Sequence, residues 1–205
     1  MDENFAAGAT WVLQYFENEI RRGSAFHAGE TVQIGWMIVL LKGNEQGDLE
    51  VWEPRLDNMP VSWIRGANNT FRHLTLQKEM CRQMGVDPEF PAYTQFAVIP
   101  VESPKATDDF CMVRDKTAGA DSGWRVTRPH QEEALTKNCS LFEIAIGNPM
   151  VVPFLALPSG AAVCCAHGIV QITYGPKVIA SDTNQFLKDL DLCWRRCAFD
   201  PDCRF

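Results

Sequence analysis

Hydrophobic and polar positions recur with two different periods along the chain, and each change of period marks an element. From Thr10 to Arg22, Trp11, Val12, Tyr15, Phe16 and Ile20 recur at helical spacing, with Glu17, Glu19 and Arg21 off that face and Gly23 as a stop. From Thr31 to Leu41 the period falls to two: Val32, Ile34, Trp36, Ile38 and Leu40 alternate with Gln33, Gly35, Met37, Val39 and Leu41. Both sets turn apolar toward the end, which predicts one central strand, buried on two sides. Gly43–Asp48 supplies turn chemistry, and Leu49–Glu53 returns as a second strand. A helix is expected from about Leu74 to Met84, stopped by Gly85, followed by a strand over Phe96–Val101.

Glu102–Asp109, with Ser103, Pro104 and Thr107, reads as a junction. Beyond it, Phe110–Val113 and Trp124–Thr127 are short strands flanking the polar loop Asp115–Gly123. A helical patch is expected after Gln131, then a proline-punctuated apolar run from Ile146 to Pro158. Val163–Tyr174 is rich in strand formers, with a turn at His167-Gly168. The last element, Asp182 to about Cys197, places Phe186, Leu190, Cys193, Trp194 and Cys197 on one helical face, with Ser181 or Asp182 as N-cap. Helices and strands without βαβ alternation define an α+β class, with mixed, mainly antiparallel sheets and flanking helices. Two sub-domains are expected, residues 1–105 and 106–205.

The 205 residues, 46% hydrophobic and 22% charged, are enough for a core that needs neither disulfide nor metal to fold. A net charge of −7 argues against direct binding of nucleic acid or an anionic membrane and leaves a basic protein partner open. The acidic start, Met1-Asp2-Glu3-Asn4-Phe5, has neither the basic region nor the apolar stretch of a secretory signal. A cytoplasmic protein is therefore expected, its eight cysteines kept as thiols.

Candidate chemistry narrows the function further. Zinc requires about four converging N or S ligands, commonly offered as CxxC or HxxxH pairs. Cys164, Cys165 and His167 are close, but adjacent strand residues point to opposite faces. Cys193 and Cys197 share a helix face with Leu190 and Trp194, where a thiol packs as a small hydrophobe. No metal and no cofactor are expected. A cysteine with His130 or His167 is the remaining route to a thiol enzyme, without a local nucleophile signature around any of the eight. The glycines form neither phosphate-binding fingerprint. A non-enzymatic binding protein is the better expectation.

Binding draws attention to acids and aromatics. Residues 1–105 carry 14 acidic and 9 basic groups, residues 106–205 carry 12 and 10, so the first half is the more acidic. Glu45, Asp48, Glu50, Glu53 and Asp57 crowd one hairpin region, and Asp108, Asp109, Asp115 and Asp121 surround the second-half loop. Either group could face a basic partner; ordinary solubility charge is the alternative. Trp124 suits an interface in composition, but as the start of a strand it is expected to point inward, with Asp121-Ser122-Gly123 as its turn.

Two blocks then carry a resemblance. Asp121-Ser122-Gly123-Trp124-Arg125 resembles the DSGW motif of the immunity protein 33 family. The run from Ile146 through Asn148-Pro149, Pro153, Pro158 and Gly160 to Ala162 is similar to that family's second block. With Phe110–Val113 as the opening strand, the resemblance covers about residues 108 to 165. The family stands beside bacterial polymorphic toxins and secretion effectors, the type VI secretion class among them. The resemblance implies an immunity protein that neutralises a cognate toxin, a nuclease above all, by stoichiometric protein–protein binding. It assigns Trp124, Pro149, Pro153, Pro158 and Gly160 to structural roles. Glu50, Glu53, Asp57, Asp108, Asp109, Asp115 and Asp121 are the candidate toxin-binding acids. A regulatory or adaptor module unrelated to toxins, or a thiol-dependent enzyme, are the alternatives.

Overall fold

The computed structural model describes residues 3–105, 108–129 and 135–190. Helix α1 (Glu3–Arg21) leads into four strands, β1 (Thr31–Ile34), β2 (Met37–Gly43), β3 (Leu49–Pro54) and β4 (Trp63–Arg65), which form an antiparallel sheet in chain order. Helix α2 (Asn68–Met84) follows. The second sheet has seven strands: β5 (Phe96–Pro100), β6 (Phe110–Arg114), β7 (Asp121–Thr127), β8 (Thr136–Ser140), β9 (Ala161–Ala166), β10 (Ile169–Tyr174) and β11 (Lys177–Ala180). Its order is β11-β10-β9-β6-β7-β5-β8, antiparallel except for the β5–β7 pair. Between β8 and β9 lie α3 (Leu141–Gly147) and a 3-10 segment, Pro149–Phe154. The α+β class with mainly antiparallel sheets holds.

Burial alternates along the central strands. Phe110, Met112, Arg114, Trp124, Val126, Val163, Cys165, Val170 and Ile172 are buried on one face, under α2, α3 and the 3-10 segment. The same core continues through Met80 and Met84 of α2 to Trp36 and Met37 at the tip of the four-stranded sheet. Leu187 and Leu190, in helical turns at 185–190, close its other side. Among the described residues no helix is long and apolar enough to cross a membrane.

Several boundaries differ from the sequence reading, each for an identifiable reason. The expected single strand over Thr31–Leu41 is a hairpin: Ile34 pairs with Met37, and Gly35-Trp36 form the turn. Gly35 adopts φ +62°, the positive value required at the first position of a type II′ turn. Helix α2 begins at Asn68, well before Leu74, because its first turn is capped from another element. The residues before Ser140 form β8, and the helix starts at Leu141, where the Ser140 hydroxyl accepts the Glu143 N–H at 3.2 Å. The last helix is capped by Asn184, whose side chain accepts the Leu187 N–H, and not by Ser181 or Asp182.

In α1, Phe16 packs inward, whereas Ile20 lies outside the buried face. The side chains of Trp11 and Val12, the segment 130–134 and the cysteines Cys193 and Cys197 lie outside the described residues. The Gly85 stop (φ +63°) and the His167-Gly168 turn, with both residues at positive φ, stand where expected.

Candidate functional site

The DSGW block is built as a scaffold. The Asp121 carboxylate accepts the Gly123 N–H at 2.8 Å, and the Ser122 hydroxyl donates to the Phe96 carbonyl at 2.8 Å, tying β7 to β5. Gly123 sits at φ +82°, and a Cβ there would lie 2.2 Å from the Asp115 carbonyl oxygen, so only glycine fits. Trp124 is completely buried, as expected, and its indole N–H donates to the Leu155 carbonyl at 3.1 Å. Each group of the motif is thus spent on holding backbone.

The second block is the backbone being held. Asn148 is buried and its side-chain oxygen accepts the Met150 N–H, capping the 3-10 segment with Pro149 at its first position. Pro153 and Pro158 are buried in the run that follows, and Gly160, at φ +94°, donates its N–H to the Arg114 carbonyl.

Arg114 links the two blocks, and the sequence reading passed over it. It is 7% exposed, and its hydrogen bonds among the described residues go to carbonyl oxygens: Nη1 donates to Glu89 at 2.7 Å, Leu157 at 2.6 Å and Leu155 at 3.3 Å, and Nε donates to Ser122 at 3.2 Å. Burial pulls its guanidinium pKa below the usual value, opposed by the Glu89 carboxylate. The available signal was alternation, since Phe110, Met112 and Arg114 occupy every second position of one strand.

The seven candidate acids occupy three separate places. Glu53 is a correction: at 1% exposure it is no surface group, and its carboxylate accepts the N–H groups of Asn69 (3.0 Å) and Thr70 (2.7 Å) and the Thr70 hydroxyl (2.8 Å). It caps α2, where Ala67 offers no side-chain cap. Glu50 accepts from Arg65 at 2.9 Å and from the Trp52 indole at 3.3 Å, and Asp57 pairs with Arg55. Asp108 pairs with Arg128 at 3.4 Å and Asp109 accepts the His167 N–H at 3.3 Å, both at the Phe110 end of β6. Asp115, ion-paired with Arg125, and Asp121 lie at the other end. At about 3.4 Å per strand residue the two ends are roughly 20 Å apart.

Glu50 belongs to an outward patch that the sequence order concealed. On β2, β3 and β4 the residues Leu40, Lys42, Glu50, Trp52, Trp63 and Arg65 share the sheet face opposite Val39, Leu41 and Glu53. Lys42 Nζ stands 3.7 Å from the Trp52 ring centroid, a cation–π contact. Both tryptophans are half-buried. Beside them, Glu45 and Asp48 project from the β2–β3 turn, exposed and with no ion-pair partner among the described residues.

Two of the described thiols, Cys81 and Cys139, are poorly suited to nucleophilic work. Burial pushes Cys81 and Cys139 up to about 12, so their thiolate fraction at neutral pH is negligible. Cys164 and Cys165 do face opposite ways, with Cys165 buried and Cys164 half-buried. Cys164 corrects the expectation of unpaired thiols, because it is joined to Cys111 across the β6–β9 ladder. Among the described residues, no group of three or more His, Cys, Asp and Glu side chains is arranged to hold a metal ion.

These observations define an α+β scaffold in which the motif residues clamp a proline-rich segment onto a sheet. Residues 76–174 match the family model of the Imm33-like domain, a match that runs from within α2 to the end of β10. It is longer than the resemblance of the two blocks alone. No curated protein and no solved structure matches the chain.

Proposed function

We propose that the chain is an immunity protein that binds and neutralises a cognate antibacterial toxin one to one in the cytoplasm, with a nuclease as the target. The Imm33-like match over residues 76–174 is the observation that carries the reading. The net charge of −7 supports a basic partner, since the catalytic clefts of nucleases are basic and an acidic inhibitor gains speed of association from the opposite field. The high thiol pKa values of Cys81 and Cys139 weigh against the thiol-enzyme alternative.

The toxin-facing surface in this reading is the outward face of the four-stranded sheet. Trp52, Trp63 and Arg65 are the residue types that dominate binding hot spots, and the nearby acids Glu45, Asp48, Glu50 and Asp57 form a charged rim. Glu53 is excluded, being committed to α2. Asp108, Asp109, Asp115 and Asp121 form the competing surface on the seven-stranded sheet.

Co-expression with the toxin encoded beside the gene tests the function: the pair should co-purify and the host should survive. A toxin that kills at full strength in the presence of the chain would refute it, and a neighbourhood without a toxin would favour an adaptor. Joint reversal of Glu45, Asp48 and Asp57 to lysine tests the surface. The association rate should fall about tenfold at low salt and lose its salt dependence. Unchanged kinetics there, with a loss on reversing Asp109 and Asp121, would move the interface to the second sheet.

A further inference from the structure

Cys111 on β6 and Cys164 on β9 are register partners on adjacent antiparallel strands, with their Cα atoms 4.1 Å apart, and the structure joins them in a disulfide. So short a separation belongs to the non-hydrogen-bonded class of antiparallel pair, in which opposing side chains stand closest. Their position in the sheet is distinctive. In the order β11-β10-β9-β6-β7-β5-β8, the strands from 96–140 lie on one side of the β9–β6 ladder and those from 161–180 on the other. Among the described residues that ladder is the seam between the two strand groups. Both sulfur-bearing side chains are half-buried on the outward face, beside the exposed Val113. Small reagents therefore reach them, whereas Cys81, Cys139 and Cys165 are buried.

We propose that Cys111 and Cys164 form a reversible thiol–disulfide exchange site that latches the two strand groups of the seven-stranded sheet, with a small-molecule disulfide as oxidant and a small thiol as reductant. On closing, one cysteine thiolate attacks the small disulfide and expels one small thiol, leaving a mixed disulfide on the protein. The second cysteine attacks the protein-side sulfur and expels the other small thiol. Two protein thiols thereby lose two electrons and two protons, and the small disulfide takes up both and leaves as two thiols. Opening is the reverse, driven by two equivalents of thiol. The two cysteines are 53 residues apart, so the closed latch restricts the unfolded chain and raises the melting temperature by about 10 °C.

The test uses the full chain, treated with oxidised glutathione, then incubated with or without dithiothreitol under native conditions, alkylated and peptide-mapped, with thermal melts in parallel. After oxidation the Cys111 and Cys164 peptides should be linked and protected. After native reduction both should be alkylated, with Cys81, Cys139 and Cys165 still unlabelled, and the melting temperature should drop by about 10 °C. The Cys111→Val/Cys164→Val variant should melt independently of redox state. Should it fail to fold, Cys111→Ser alone gives the same readout. Alkylation of the pair after oxidised glutathione, a link that resists reduction until the protein unfolds, or a redox-dependent melt that survives in the variants would each overturn the proposal.

Discussion

The carboxylate of Glu53, on the third strand of the small sheet, accepts the backbone N–H and the hydroxyl of Thr70, 17 residues further along the chain, at 2.7 and 2.8 Å, and so caps the start of a helix. This bond couples the four-stranded sheet to α2, and α2 in turn supplies the first residues of the Imm33-like region. A buried anion at a helix N-terminus satisfies donors that have no intrahelical partner and sits at the favourable end of the helix dipole.

Removing that anion should therefore be costly. Glu53→Ala is expected to lose about 2–3 kcal/mol in urea unfolding, because two backbone N–H groups and a hydroxyl are left unsatisfied in the interior. Asp57→Ala, which breaks only the exposed pair with Arg55, should lose about 0.5 kcal/mol or less. Equal losses for the two variants would mean that Glu53 is not the cap.

Gly123 and Gly47 provide a matched pair. Both have strongly positive φ, +82° and +86°, but an added Cβ at Gly47 meets nothing within 4 Å, while at Gly123 it meets the Asp115 carbonyl. Gly47→Ala should cost about 1 kcal/mol for the backbone conformation alone, and Gly123→Ala at least about 1 kcal/mol more. Denaturation of the two single variants measures the difference, and similar values would discount the close approach in the DSGW turn.

Trp124→Phe keeps a buried ring but leaves the Leu155 carbonyl with only the longer bond from Arg114, at 3.3 Å. A loss of about 1–3 kcal/mol is expected, with Trp124→Ala reaching about 3–5 kcal/mol through the cavity it leaves. Unfolding of the two variants by denaturant is the check. A Trp124→Ala protein as stable as the wild type would contradict the clamp.

His73 gives stability a dependence on acid. It is 3% exposed, its Nδ1 accepts the Trp36 indole N–H at 3.2 Å, and its pKa is held down to about 3, first by burial and second by Arg72. In the unfolded chain a histidine binds its proton near pH 6.5, so between 6.5 and 3 the unfolded state holds the extra proton. The stability contributed by the neutral ring is complete above 6.5 and declines as pH falls through that window, by about 1 kcal/mol per pH unit. His73→Gln, which retains an acceptor for Trp36, should flatten the profile of unfolding free energy between pH 6 and 4. An unchanged slope would assign the acid sensitivity to other groups.

How much of this was legible in the chain depended on whether the cause was local. The Gly85 stop, the His167-Gly168 turn and the inward direction of Trp124 were readable because each follows from a backbone preference or a two-residue period. The hairpin at Gly35-Trp36 was hidden by apolar residues on both sides of the turn, which continue the alternation across it. The start of α2 was hidden because its cap is Glu53 rather than a neighbour, and the same fact removed Glu53 from the candidate surface. Arg114 offered a local signal, its place in the Phe110–Met112 alternation, but a charged residue at a buried position is rare without partners, and its partners are carbonyls of Glu89, Ser122, Leu155 and Leu157.

Taken alone, the chain determined its α+β class, the position of most strands and turns and the two motif blocks, because hydrophobic period and glycine or proline stereochemistry act over a few residues. Only tertiary structure decided which acids remain at the surface, that Trp52 and Trp63 share an outward face with Arg65, and that Cys111 meets Cys164. Those outcomes depend on strand register and on partners tens of residues away, and a one-residue shift in pairing would reverse every one of those side-chain directions.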